Sequence, residues 1–177
     1  GARSKLSSIL DAGVRTFINL MKPEDRNHAG MPFTPYADGA DTLASEKGFT
    51  LVHQSFPITD QGIPDKKTMD AVLDFIDTSL NEDRPVYLHC WGGHGRTGTV
   101  VGCYLIAHGL ATKDNFVDTI AQLRKHVPTH IPSPENGTQR DFVRNYTRPS
   151  ASTPVTPEAD RFLGCLLGLA VAQILDR

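Results

Sequence analysis

Two hydrophobic periods take turns along the first 148 residues. Val14-Arg15-Thr16-Phe17-Ile18-Asn19-Leu20, the run Thr50 to Phe56, and Pro85-Val86-Tyr87-Leu88-His89 are short and rich in β-branched and aromatic residues, which predicts strands. Helical spacing fills the gaps. Lys5 to Ala12 and Asp38 to Lys47, the latter stopped by Gly48, precede a longer segment, 65–82. This segment carries Met69, Val72, Leu73, Ile76 and Leu80 on one face. Beyond the third strand, Thr97 to His108 is apolar and ends at Gly109, and about 112–126 places Phe116, Ile120 and Leu123 together. A last helix is expected near Ser133-Pro134, a cap followed by proline in the first turn. Residues 21–37 hold three prolines and read as loop. Strands alternating with helices predict an α/β fold, a central, mostly parallel sheet flanked by helices on both faces.

The pattern changes after residue 148. Pro149-Ser150-Ala151-Ser152-Thr153-Pro154-Val155-Thr156-Pro157 has linker composition, so the chain divides into a domain over 1–148, a linker over 149–158 and a tail over 159–177. Residues 162–175 are mostly apolar but number only fourteen, too few for the ~20 that span a bilayer. A helix apolar on every side must pack on its own domain or on a second copy, so self-association through this tail is an expectation.

Charge and cysteine usage narrow the classes further. The 177-residue chain has a net charge of −2, which gives no basic footprint for nucleic acid and no polybasic membrane patch. Cys90, Cys103 and Cys165 are widely spaced and odd in number, which suggests neither a disulfide framework nor a zinc site. No metal or other cofactor is expected. The chain starts Gly1-Ala2-Arg3-Ser4 with no signal-peptide pattern. A reactive thiol also needs a reducing compartment, so the expected location is cytoplasmic.

The densest chemistry lies in His89-Cys90-Trp91-Gly92-Gly93-His94-Gly95-Arg96-Thr97-Gly98. Glycines let successive backbone N–H groups turn toward one point and form an anion-binding concavity, here from Trp91, Gly92, Gly93, His94, Gly95 and Arg96. Arg96 adds a planar fork of charged donors suited to two phosphate oxygens. Strand, glycine-rich loop and helix N-terminus is an arrangement that favours an anion. Cys90 sits at its base as a candidate nucleophile. A free thiol titrates near ~8.5 and is only slightly ionised at neutral pH, but amides, Arg96 and the helix N-terminus all favour its thiolate.

This stretch resembles the signature loop of the cysteine-dependent protein phosphatases, His-Cys-x-x-Gly-x-Gly-Arg-(Ser/Thr)-Gly. Every fixed position is met. The resemblance implies a brace role for His89, which on sequence alone reads equally as a core histidine. It also implies that the Thr97 hydroxyl assists breakdown of a phosphocysteine, where the residues alone suggest a helix N-cap. His94, at a variable position between glycines, is expected at the cleft rim. Trp91 lines that rim or packs behind the loop.

Such a transfer needs an acid for the departing oxygen. Ser55-Phe56-Pro57-Ile58-Thr59-Asp60-Gln61-Gly62-Ile63-Pro64-Asp65 offers two aspartates. Asp60 lies in a Pro- and Gly-containing loop beyond a strand, so it is the candidate acid on a movable lid. Asp65 directly precedes the helical pattern and reads as its N-cap. The wording Pro-Ile-x-Asp-x-Gly-x-Pro-Asp resembles the dual-specificity branch, of kinase-associated-phosphatase type. Gln139 shares a face with Phe142, Val143 and Tyr146; it positions a hydrolytic water, as in related phosphatases, or is a structural hydrogen bonder. Arg140, Arg144 and Arg148 form a basic stripe, either solvated or steering substrate.

The resemblance implies a phosphomonoester hydrolase acting on phosphotyrosine and also phosphoserine or phosphothreonine proteins. The alternatives are a small phosphorylated metabolite, such as an inositol phosphate or nucleotide, and a phosphate-binding pseudoenzyme. In the tail, Arg161-Phe162-Leu163-Gly164-Cys165-Leu166-Leu167-Gly168-Leu169-Ala170 resembles the opening of an ADP-ribosylglycohydrolase domain. The Gly-Asp metal segment of that family is replaced by Val171-Ala172-Gln173-Ile174, so no metal ligand carries over.

Overall fold

Three parallel strands set the direction of everything around them. The computed structural model describes residues 1–148, so the expected linker and apolar tail lie outside the described residues. In chain order the elements are α1 (Ala2–Asp11), β1 (Thr16–Asn19), α2 (Ala37–Glu46), β2 (Val52–Ser55) and α3 (Lys66–Asn81). They continue with β3 (Val86–His89), α4 (Gly95–Ala107), α5 (Phe116–Leu123) and α6 (Gly137–Asn145). The strands pair in the order β2-β1-β3, with Thr16 opposite Val52 on one side and Val86 on the other. All three C-terminal ends therefore meet at one edge, where α/β sheets place their sites.

Strand alternation divides the apolar residues between two layers. Phe17 and Tyr87, paired across β1 and β3, face α1 and α2, where Leu6, Ile9, Leu10, Leu43 and Ala44 close one core. One residue further, Ile18 and Leu88 face the opposite way, into Met69, Val72, Leu73 and Ile76 of α3 and Val100 and Cys103 of α4. Phe116, Ile120 and Val143 bring α5 and α6 onto the same core. From Gly95 to Leu105 every residue of α4 is buried, as expected of a helix apolar on all sides. Cys103 lies fully inside it, and burial pushes its thiol well above the ordinary range.

Local chemistry sets the helix ends. Asp65 caps α3, its Oδ1 accepting the Thr68 N–H at 2.7 Å, as its place in the sequence predicts. α5 is shorter than the apolar pattern suggests. Thr112 and Asn115 bond reciprocally, main-chain N–H to side-chain oxygen at 2.7 and 3.3 Å, and hold 112–115 as a turn before the helix. α6 starts later than Ser133-Pro134, because Asn136 and Gln139 form the capping box and Ser133 instead donates to the His94 carbonyl at 2.8 Å. The basic stripe is not free. Arg140 donates to the Pro134 carbonyl, Arg144 pairs with Asp141, and Arg148 pairs with Asp74 and Asp77.

α4 approaches its neighbours at glycines. A Cβ on Gly98 would run into Ser133 Oγ and lie 3.1 Å from Pro134, while one on Gly102 would lie 2.9 Å from Val143 Cγ1. We expect Gly98→Ala to lower the unfolding free energy by about 1–3 kcal/mol, the usual cost of overpacking, seen as a lower urea midpoint at unchanged m-value. A midpoint equal to wild type would mean that the 133–134 segment yields without loss.

Candidate active site

The phosphate loop leaves the C-terminal end of β3, an outer strand of the sheet beside the central β1. β3 ends at His89, Cys90 follows with 4% of its surface exposed, and the chain turns through Gly93 at φ +69° before entering α4. That dihedral suits glycine and strains other residues. α4 begins at Gly95, two residues earlier than its apolar pattern suggests, so Arg96 and Thr97 occupy its first turn. His94 stands at the N-cap position. Thr97 is therefore not the cap: its hydroxyl is buried and makes no hydrogen bond among the described residues. Trp91 is half-buried and packs edge-on against Phe33 with ring centroids 5.1 Å apart, a place in the wall of the rim.

Arg96 joins three separate segments although only 2% of its side chain is exposed. Nη1 donates to the Ile58 carbonyl at 3.1 Å and to Oδ2 of Asp25, and Nη2 lies 2.9 Å from Oδ1 of Asp60. The loop after β1, the acid turn after β2 and the phosphate loop after β3 thus converge on one guanidinium. Asp25 is a residue the sequence reading missed. Its only signal is an acidic side chain in the loop beyond a strand's C-terminal end.

Asp60 stands in a turn closed by the Gly62 N–H bonding to the Thr59 carbonyl at 2.9 Å, with Gln61 left-handed at φ +55°. Its side chain is 65% exposed. The lid expected here is tethered in this structure. Asn136 Nδ2 donates to the Gln61 carbonyl at 2.9 Å and Gln139 Nε2 to that of Gly62 at 3.2 Å. Gln139 is fully buried, and its Oε1 also accepts the N–H groups of Glu135 and Asn136. It sits so close over the loop that a Cβ on Gly95 would come within 2.8 Å of its amide. The structure thus shows Gln139 bonding the acid turn to α6 beside the loop.

Two histidines flank the cysteine, and their hydrogen bonds fix their tautomers. His89 Nδ1 faces the Cys90 carbonyl at 3.1 Å, an acceptor, so this nitrogen carries the proton. Nε2 then accepts from the Tyr36 hydroxyl at 2.6 Å. Burial keeps that hydroxyl protonated, raising its pKa well above the ordinary tyrosine value. Burial, with the Arg96 charge acting in the same sense, pushes His89 down to about 4. His94 is the opposite tautomer, its Nδ1 accepting from Arg124 Nη2 at 2.5 Å. It is pushed down to about 4 by burial first and the Arg124 charge second. Tyr36 and Arg124 also escape the sequence reading, because their partners lie 53 and 30 residues away.

Among the described residues no cluster of His, Cys, Asp or Glu is arranged to hold a metal ion, and no helix is long and apolar enough to cross a membrane.

Comparison with known proteins agrees with this geometry. Residues 2–153 match the family model "PTP-SAK: Swiss Army Knife protein, DSP-PTPase phosphatase domain". The chain belongs to that family of phosphatase domains. It is 39% identical over 61 residues to an uncharacterized protein of Methanocaldococcus jannaschii, covering 34% of this chain and 38% of that one. It is 36% identical over 74 residues to a putative tyrosine phosphatase of Invertebrate iridescent virus 3, covering 36% and 31%. The matched stretches thus span about two fifths or less of these relatives. Among solved structures, the kinase associated phosphatase carrying serine at its catalytic-site cysteine superposes with a TM-score of 0.60 at 18% identity, over 80% of this chain and 72% of that one. PTPMT1 gives 0.56 at 19% identity, over 81% and 82%. These likenesses establish the phosphatase fold.

The two depressed histidines give the protein a pH signature. Above the ordinary histidine pKa of ~6.5 both folded and unfolded chains hold them neutral, and stability is complete. As pH falls from there to about 4, the unfolded chain takes up protons that the folded one refuses, so stability is lost. Urea midpoints measured between pH 7 and pH 4.5 should fall with pH, and His89→Gln should flatten that slope whatever it does to the midpoint at pH 7. Equal slopes would mean that His89 accepts its proton within the fold.

Proposed function

We propose that the protein hydrolyses phosphomonoesters through a phosphocysteine intermediate, with phosphotyrosine proteins, and phosphoserine or phosphothreonine proteins as well, as its substrates. The observation that carries this reading is the meeting of Arg96 with Asp60, 2.9 Å apart, at the loop that starts with Cys90. In the first step the Cys90 thiolate attacks phosphorus and the P–O ester bond breaks. The leaving oxygen takes a proton from the Asp60 carboxyl, and the product alcohol or phenol departs. Arg96 and the amides of Trp91, Gly92, Gly93, His94 and Gly95 hold the equatorial oxygens as charge develops. In the second step Asp60, now a carboxylate, takes a proton from water while the water oxygen attacks phosphorus. The S–P bond breaks, which releases inorganic phosphate and restores the thiolate. Gln139 positions Gly62 and hence the acid turn, His89 braces the loop through the Cys90 carbonyl, and the buried Thr97 hydroxyl favours the sulfur as leaving group. No cofactor takes part.

A second reading has its own support. A cleft of about 460 Å³ lies beside the Arg96–Asp25 pair, lined by Asn19, Lys22, Asp25, Phe33, Tyr36 and Gln54. One structural neighbour, PTPMT1, is bound to PI(5)P. Lys22 and the amides of Asn19 and Gln54 in this cleft offer donors to a small phosphorylated metabolite. The pseudoenzyme reading is disfavoured, since Cys90, Arg96 and Asp60 are all present and the latter two are in contact. Parallel turnover on a phosphotyrosine peptide and on soluble inositol phosphates separates the two substrate classes.

Cys90→Ser should abolish turnover of an aryl phosphate while vanadate still binds, because the cradle is backbone and Arg96. Retention of more than about a hundredth of the wild-type rate, ~2.7 kcal/mol in barrier, would rule out the covalent route. Asp60→Asn should slow substrates with poor leaving groups by about two to four decades and activated aryl esters much less. Asp65→Asn keeps a capping side chain and should be mild. Exchanged phenotypes for the two aspartates would reverse their roles.

A further inference from the structure

The phosphate loop touches a second guanidinium. Arg124, the residue closing α5, is 6% exposed, and its Nη2 donates to His94 Nδ1 at 2.5 Å. Nη1 reaches the Ile131 carbonyl at 3.5 Å, and Nε is buried without a hydrogen-bond partner. Among the described residues no carboxylate pairs with Arg124. A buried cation lacking a counter-ion is costly, so the nearby anions matter. Burial pulls the Arg124 pKa down and the charge of Cys90 acts to restore it, and Arg124 reaches the loop of Cys90 through its bond to His94.

The charges facing Cys90 explain what such a cation does. Arg96 of α4 is shared between Asp25 of the loop after β1 and Asp60 of the acid turn. With Asp60 carrying its catalytic proton, Asp25 alone balances Arg96, so that set has no positive charge to spare for a thiolate. His89 at the end of β3 and His94 in the loop are both neutral at physiological pH, and Tyr36 and Tyr87 stay protonated. Arg124 of α5 supplies the missing positive charge. Its bond to His94 also has a steric counterpart, because the imidazole lies over the loop, with Cδ2 3.0 Å from where a Cβ on Gly92 would stand.

We propose that Arg124 is a positioning residue for the nucleophile: its bond to His94 seats the imidazole on Gly92 and fixes the phosphate loop, and its charge stands behind that loop as a second cation for the Cys90 thiolate. This rests on the reading of Cys90 as the nucleophile. It assigns the loop a second cation that the Cys-x5-Arg pattern does not contain.

The test is the pH dependence of iodoacetamide alkylation at Cys90 in the full chain carrying Cys165→Ser, with Cys103 buried. Arg124→Gln keeps a donor for His94 but removes the charge. Its alkylation midpoint should rise by about one pH unit, the scale of one neighbouring opposite charge, and aryl phosphate turnover at pH 6 should fall about ten-fold. Turnover should recover in part above pH 8. Arg124→Lys keeps the charge without the planar fork, so its midpoint should stay near wild type while plateau turnover falls several-fold. A folded Arg124→Gln protein with an unmoved midpoint, or with turnover lowered equally at every pH, overturns the proposal. If that variant does not fold, a Lys variant whose midpoint climbs by a full unit overturns it instead. Wild-type turnover that survives complete Cys90 alkylation removes the nucleophile reading and this proposal with it, an outcome distinct from an unmoved midpoint.

Discussion

The site depends on one guanidinium held almost wholly out of water. Arg96 is almost fully buried, so its bonds to Asp25 and the Ile58 carbonyl act in a medium that screens weakly, whereas solvent reaches the exposed Asp60. Asp25 belongs to the segment leaving β1, and Ile58 and Asp60 to the segment leaving β2, while Arg96 itself follows β3. A parallel sheet brings the C-terminal ends of its strands to one edge, but it does not hold the following loops together. Here the charge of Arg96 does. The buried fork keeps the turn of Asp60 and the loop after β1 in register with the cysteine, and in the proposed reaction it also receives the phosphate.

Around that centre the protein removes ambiguity from its polar groups. His89 and His94 are opposite tautomers, each dictated by a partner able only to donate or only to accept at the nitrogen it faces. Gln139 uses its amide oxygen for the α6 cap and its amide nitrogen for the acid turn, so one side chain ties a helix end to a functional loop. Glycine spacing on α4 supplies the matching steric condition. Close approach at Gly98 and Gly102 lets the segment carrying Ser133 and α6 reach the loop at all.

Most of the fold is legible from local pattern. The three strands, the α3 register and the Asp65 cap follow from periodicities of two and 3.6 and from a side-chain oxygen placed before an apolar run. Strand ends are less legible: β1 pairs only over Thr16–Asn19, although the apolar run extends to Leu20. The Thr112–Asn115 turn and the late start of α6 are set by hydrogen bonds that compete with helix, which hydrophobic spacing does not register. The site divides in the same way. Residues within the signature loop are contiguous, and they read out together. Asp25, Tyr36 and Arg124 meet the loop only through the fold, and as isolated polar residues in loops or at a helix end they carry no local signal.

The two described cysteines live in different worlds on the same stretch of backbone. Cys90 opens the loop at the sheet edge, whereas Cys103 lies sealed in α4 with no surface at all. Chemistry at the first reports on the resting protein, and chemistry at the second reports only on molecules that have opened their core. With Cys165 replaced by serine, a thiol reagent becomes a two-channel clock. Faster labelling follows Cys90, and slower labelling follows the rate or frequency with which the α4 core comes apart, so damage to the site and damage to the fold can be timed separately in one tube.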